Sequence, residues 1–282
     1  MAPEIMDKMP KSPKQVKDEQ DESVKRSLAR IRFKFLVMSG KGGVGKTSTA
    51  VNLSLALAGK GYKVGVMDVD LHGPDVPRML GLSGVPEVNA GRKLDPIRHS
   101  ENLAAISMES FLPKRDDAVI WRGPLKFSAI RQFIADVDWG NLDFLIIDAP
   151  PGTGDEPLTV AQQVEDARAV IVTTPQEVAL ADVRKSINFG RTVNLEIFGL
   201  VENMSGLSCP HCGEAIDLFG SGGGERTARE MGVRFLGRIP IDPAVVACGD
   251  SGRCYQQAHA DSAVTQAYDA IAQTMAELAG KR

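Results

Sequence analysis

The sequence predicts a doubly wound α/β domain, a mostly parallel sheet with helices on both faces, and three observations carry that reading. From Arg32 onward, short and continuously apolar runs alternate with amphipathic stretches, the pattern left by strands whose two faces are both covered by the connecting helices. A glycine-rich segment lies between the first apolar run and an Ala/Leu-rich helical stretch. With 282 residues, 43% hydrophobic and 24% charged, the chain is long and apolar enough for one large domain of this kind.

In chain order, residues 1–30 mix Lys, Asp, Glu and Gln with little apolar periodicity, which predicts a charged, flexible tail or a loosely attached helix, rather than core, ahead of a single domain over 31–282. Strands are expected at 35–38, 64–67, 144–147, 169–172, 197–201 and 235–239, and helices at 50–58, after Glu156, over 178–193, and over 258–278. Residues 81–100, rich in Gly, Pro, Arg and Asn, are expected to form a surface excursion. The segment 203–225, with two cysteines and several glycines, reads as a specialised loop.

A net charge of −3 argues against a protein built to coat nucleic acid or anionic membrane, so neither is expected as a partner. No apolar run approaches the ~18 residues that span a bilayer, and the amino end lacks the apolar stretch of a signal peptide. A cytoplasmic location is therefore expected. The four cysteines, 209, 212, 248 and 254, then read as free thiols or metal ligands rather than a disulfide framework.

Gly40-Lys41-Gly42-Gly43-Val44-Gly45-Lys46-Thr47 satisfies G-x-x-x-x-G-K-[ST] between a strand and a helix. Glycines let backbone N–H groups converge on a phosphate, and the helix beginning near Ser48 points its positive end at the same anion. Lys46 reaches the β/γ oxygens, and Thr47 offers a hydroxyl to Mg2+. Mg2+ also needs carboxylates. Asp148 ends one apolar run, and Asp68 and Asp70 follow another, which puts all three at the edge of the sheet where ligands of such folds bind. If that strand continues far enough, period-two alternation makes Asp68 and Asp70 lean the same way.

These residues resemble a known class. Lys41, following the first glycine of the loop, is similar to the extra lysine of the deviant Walker A loop in MinD/ParA dimerising ATPases. The resemblance implies that it reaches the partner's nucleotide. Asp68 to Asp75 resembles switch I, with Asp70 orienting the attacking water, and Asp148 to Asp155 resembles switch II. Trp121-Arg122-Gly123-Pro124, Glu202-Asn203-Met204-Ser205, Cys209-Pro210-His211-Cys212-Gly213 and 219–225 extend the likeness to the Mrp/ApbC-type iron–sulfur cluster carriers. That likeness implies a slow, Mg2+-dependent ATPase, an adenine pocket lined by Asn203 and Pro240, and Arg122 as candidate arginine finger. The leading 30 residues are too short for the extra amino-terminal domain of many bacterial members and contain no cysteine.

Cys209 and Cys212 can hold one metal or one cluster. A [4Fe–4S] cube takes four thiolates, and one chain supplies two here, so a twofold homodimer would complete the set and deliver the cluster to apo iron–sulfur proteins. Competing readings are a zinc site built from Cys209, Cys212, Cys248 and Cys254 and a redox dithiol. For the whole chain they are a positioning ATPase of the MinD/ParA kind and an electron carrier like nitrogenase reductase. His72 and His211 read as loop residues. Few basic residues precede Lys281 in the final segment, which suits a packing helix better than a membrane anchor.

Overall fold

The computed structural model describes residues 13–70, 73–108, 123–209 and 211–280. The strands are β1 (Ile31–Ser39), β2 (Val64–Asp68), β3 (Glu87–Val88), β4 (Leu94–Asp95), β5 (Ile97–Arg98), β6 (Leu103–Ser107), β7 (Leu142–Asp148), β8 (Arg168–Thr173), β9 (Glu196–Glu202), β10 (Leu207–Ser208), β11 (Ala215–Ile216) and β12 (Phe235–Arg238). The helices are α1 (Pro13–Leu28), α2 (Lys46–Gly59), α3 (Val76–Met79), α4 (Gly123–Asp136), α5 (Asp155–Gln163), α6 (Glu177–Thr192), α7 (Gly223–Glu230), α8 (Pro243–Asp250), α9 (Tyr255–Ala258) and α10 (Ala263–Ala279). Eight strands form the central sheet in the order β12-β9-β8-β1-β7-β2-β6-β5. Only the edge strand β5 is antiparallel to its neighbour.

Alternation along the strands builds two cores. Phe35, Val37, Phe144, Ile146, Val170 and Val172 pack against α2 and α10 on one face. Leu36, Met38, Leu145, Ile147, Ala169 and Ile171 pack with residues of α1, α4, α5 and α6 on the other. Each of the larger side chains, fully buried, contributes about 1.5–3 kcal/mol, so register is strongly specified: a one-residue slip would exchange the two faces. In α10, Val264, Tyr268, Ile271 and Met275 are buried, so the last helix packs on the sheet as its spacing suggests. No helix among the described residues is long and apolar enough to cross a membrane.

One expectation needs correction. Residues 13–28 form a helix that is packed on the domain rather than a flexible tail or a loosely attached helix. Val24 and Leu28 are buried beside Ile130, Phe133 and Ile134 of α4, and the Ser23 and Ser27 hydroxyls donate to the carbonyls of Ala135 and Val137 at 3.2 and 3.0 Å. Among the described side chains, Val24 and Leu28 at i, i+4 anchor the helix, and the serines satisfy carbonyls at the end of α4. The excursion at 81–100 lies at the surface as expected, with no buried residue, and it holds the β3–β4 hairpin before joining the sheet edge through β5.

The order reverses around β1. It lies between β7 and β8, so the loop that follows it opens at the carboxyl edge of the sheet, at a topological switch point. Asp68 is in register with Asp148 on one side and with Ser107 on the other.

Candidate functional site

The loop from Gly40 to Gly45 is braced from three sides. Ser39 donates its hydroxyl to the Lys41 carbonyl at 2.9 Å, and its own carbonyl accepts the Gly152 N–H at 2.8 Å. A Cβ at Gly40 would lie 2.5 Å from the carbonyl carbon of Asp182 on α6, so only glycine permits this approach. Gly45 precedes α2 with φ +82°, a left-handed conformation that glycine adopts without cost. The Asn203 side-chain amide donates to the Val44 carbonyl at 2.9 Å. No side chain caps α2, so its first-turn N–H groups remain available to an anion.

Behind the loop sits a cluster of charge. Lys46, buried, donates to Asp148 Oδ1 at 2.7 Å and to Thr47 Oγ1 at 3.2 Å, and lies 4.0 Å from Asp70 Oδ2. Thr47 Oγ1 donates to the other Asp148 oxygen, Oδ2, at 2.7 Å. Burial raises the Asp148 carboxyl above the usual carboxylate range, while Lys46 and the Thr47 hydroxyl pull it back. Asp68 is raised further, by burial first and then by the neighbouring Asp148.

The three acids differ in what they face. Asp68 Oδ1 accepts the Asp70 N–H at 3.0 Å, and its Oδ2 accepts the Ser107 hydroxyl at 3.1 Å and the Val76 N–H at 3.4 Å. Both oxygens thus serve internal donors and shape the turn into α3. β2 ends at Asp68, so Asp70 lies beyond the strand and reaches Lys46 by the turn rather than by strand alternation. The donor set that fits Mg2+ is the Thr47 hydroxyl with the Asp148 carboxylate. Hydroxyl and carboxylate oxygens are the hard ligands that ion takes. Lys41 is half-exposed, with no partner for its ammonium among the described residues.

Beyond Gly45 and Ser48 a cleft of about 390 Å3 opens, lined also by Asn203, Ile239, Pro240 and Tyr268. Sequence reasoning placed Asn203 and Pro240 here. It missed Tyr268, whose spacing reads only as helix core, and Asp75 and Arg78, which reach the cleft from the switch I side. Leu71, His72 and Trp121-Arg122, with the arginine-finger candidate, lie outside the described residues.

The cysteine pair stands on the small β10–β11 hairpin. Cys209 donates its N–H to the Glu214 carbonyl at 2.8 Å and accepts the Gly213 N–H at 2.9 Å. Gly213, at φ +75°, closes the turn. Cys209 is half-buried, while Cys212 and His211 are exposed. Backbone N–H groups of Cys212 and His211 directed at its sulfur lower the Cys209 thiol below the usual range, favouring the thiolate that binds metal. The four-cysteine zinc site is not assembled. Cys248 is buried on α8, Cys254 precedes α9, and among the described residues no three His, Cys, Asp or Glu side chains gather in a metal-holding group.

The parallel sheet, the braced loop and the Lys46–Thr47–Asp148 cluster define a P-loop NTPase. Comparison with known proteins narrows the class. The model of the ParA family described as NUBPL iron-transfer P-loop NTPase matches residues 30–276, and the chain belongs to that family. The protein of Methanocaldococcus jannaschii named iron-sulfur cluster carrier protein is 47% identical over 235 residues, covering 83% of this chain and 81% of that one. Cytosolic Fe-S cluster assembly factor CFD1 of Eremothecium gossypii is 50% identical over 228 residues, 78% of this chain and 81% of that one. Among solved structures, the nucleotide-binding protein in complex with ADP from Archaeoglobus fulgidus superposes with a TM-score of 0.73 at 40% identity, covering 83% of this chain and 91% of its own. The cell division ATPase MinD of Pyrococcus furiosus shares the fold, with a TM-score of 0.65 at 24% identity, over 88% of this chain and 99% of its own.

Proposed function

We propose that this chain is an ATP-dependent carrier of iron–sulfur clusters, which holds a [4Fe–4S] cluster between two copies of itself and passes it to apo-proteins in the cytoplasm. The observation that carries the reading is the hairpin. Two cysteines, Cys209 half-buried with a lowered thiol and Cys212 exposed, stand on it with no third ligand among the described residues. A cube needs four thiolates, so two hairpins facing across a twofold axis supply the set. The names of the archaeal and fungal relatives support the cargo.

On the nucleotide side, the loop N–H groups and Lys46 bind the phosphates, the base enters the cleft beside Asn203 and Pro240, and Thr47 with Asp148 hold Mg2+. The metal supplies charge neutralisation at the phosphate oxygens. Lys46 lies between Asp148 and Asp70, so a phosphate draws the ammonium from Asp148 and frees that carboxylate. Asp70 is then the acid placed to orient water, and Lys41 extends to the partner's nucleotide. Because both copies hold the cluster, a change in their relative position on hydrolysis alters its hold.

Anaerobic reconstitution followed by iron analysis and light scattering tests the reading. Visible absorption with about four irons per dimer is expected. A chain that stays monomeric under every nucleotide and iron condition, or one that takes up stoichiometric zinc and no iron, overturns it.

A further inference from the structure

Glu202 closes β9 with its carboxylate fully buried. Oε1 accepts the Ser205 hydroxyl at 2.5 Å and the Gly222 N–H at 2.8 Å, and Arg238 Nε stands 3.9 Å away. Oε2 accepts the Gly224 N–H in the first turn of α7. A Cβ on Gly224 would lie 2.9 Å from that oxygen, so the contact depends on glycine. Ser205 and Gly222 bracket the segment that carries the cysteine hairpin, and one carboxylate therefore pins both of its ends.

The same stretch of backbone grips the nucleotide edge. Asn203, the next residue, holds the Val44 carbonyl and lines the base cleft, and its N–H donates to the Thr173 carbonyl at 2.7 Å. Ile239, beside Pro240, donates its N–H to the Glu202 carbonyl at 2.8 Å and accepts the Ser205 N–H at 2.9 Å. A buried carboxylate shared among several donors gives up partners only at the full desolvation penalty. Displacement of Asn203 or Pro240 thus moves the clasp as a unit instead of being absorbed.

We infer that Glu202 is a positioning residue that couples nucleotide occupancy of the P-loop cleft to the geometry of the Cys209/Cys212 hairpin. The inference rests on the carrier reading for its purpose, yet its test needs no cluster. The full-length, reduced, cluster-free chain is alkylated with iodoacetamide, with and without Mg2+ and a non-hydrolysable ATP analogue. Mass spectrometry follows Cys209 and Cys212, with buried Cys248 reporting any unfolding. In the wild type the analogue is expected to change the hairpin rates by about fivefold or more, the lower end of ordinary coupling between sites. Glu202→Gln turns one acceptor into a donor facing N–H groups. It is expected to bring the ratio close to one while affinity for the analogue stays within about threefold. Gly224→Ala presses on the same contact from the α7 side and should reproduce that loss, and it decides the matter if Glu202→Gln exposes Cys248. A wild-type ratio of one, a ratio retained in both variants, or a loss matched by an equal loss of analogue affinity overturns the inference. Failure of the carrier reading appears separately, as wild-type protein that takes up no cluster on reconstitution.

Discussion

The nucleotide edge and the cysteine hairpin are built on opposite plans. At the first, Lys46, Asp68, Asp70 and Asp148 are buried and cross-bonded, and the loop is held by Ser39, Asn203 and the backbone of α6. At the second, the residues from His211 to Phe219 are exposed, and the two-stranded hairpin joins the domain at its base, where Leu207 bridges to Ile241. A cluster of buried, cross-bonded side chains is preorganised by the core around it. On the carrier reading proposed above, an exposed cysteine pair stays open to ligands from outside the chain.

The most severe way to break the contrast is to remove the hairpin thiols. Cys209→Ala/Cys212→Ala is expected to abolish cluster uptake, read as loss of visible absorption after reconstitution. Nucleotide affinity should stay unchanged, and the unfolding free energy should move by no more than about 0.5 kcal/mol, as for exposed positions generally. A variant that lost nucleotide binding as well would show that the hairpin supports the other edge.

Lys46→Ala attacks the buried edge and should do two things. Charge-assisted bonds of about 1.5–3 kcal/mol each predict nucleotide affinity at least ~10-fold weaker by calorimetry. Loss of the counter-ion also leaves Asp148 buried and unpaired, a change that costs about 3–5 kcal/mol at neutral pH. Lys46 lowers the Asp148 carboxyl against its burial, so the variant's folded state binds that proton more tightly than the wild type's does. The deficit therefore shrinks as pH falls from neutral. Urea midpoints from pH 7 to 5 check this, and adding Asp148→Asn should flatten the slope.

The contrast also sorts what the sequence discloses. The phosphate loop was legible because its chemistry is contiguous, from Gly40 to Thr47, and the strands because their apolar runs are short and unbroken. Asp148 and Asp68 were legible as acids ending such runs, but not that Asp68 spends both oxygens on Ser107 and two backbone N–H groups. Glu202 reads in the sequence only as part of a resemblance, since Gly222 and Gly224 are distant along the chain and donate through backbone, and Ser205 alone among its hydrogen-bond partners is a nearby side chain. Helix α1 was legible only as an alternative to a flexible tail, and its packing was not, because serine–carbonyl bonds to α4 do part of the work.

A paired glycine substitution measures the same difference at smaller amplitude. Gly40→Ala forces a methyl against the Asp182 backbone, an overpacking expected to cost about 1–3 kcal/mol of global stability. Gly213→Ala meets nothing within 4 Å and bears only the strain of φ +75°, about 1 kcal/mol. Because the hairpin can open without the core, that strain should appear as faster amide exchange at 207–216 with the urea midpoint unmoved.

The smallest effect comes from Tyr268, one of three tyrosines, which lines the nucleotide cleft from α10. Burial pushes its phenol up to about 12, against hydrogen bonds with Thr49 and Ser48 that pull it down. The unfolded chain ionises near 10, so the folded state holds this proton longer, and stability is lost as pH climbs from 10 to about 12. Tyr268→Phe should delete one late step from the alkaline absorbance titration at the cost of a single hydrogen-bonding group, about 0.5–1.5 kcal/mol at neutral pH. If that phenol instead titrated near 10, the α2–α10 wall of the cleft would be open to water, and the nucleotide edge would be less closed than its bonding implies.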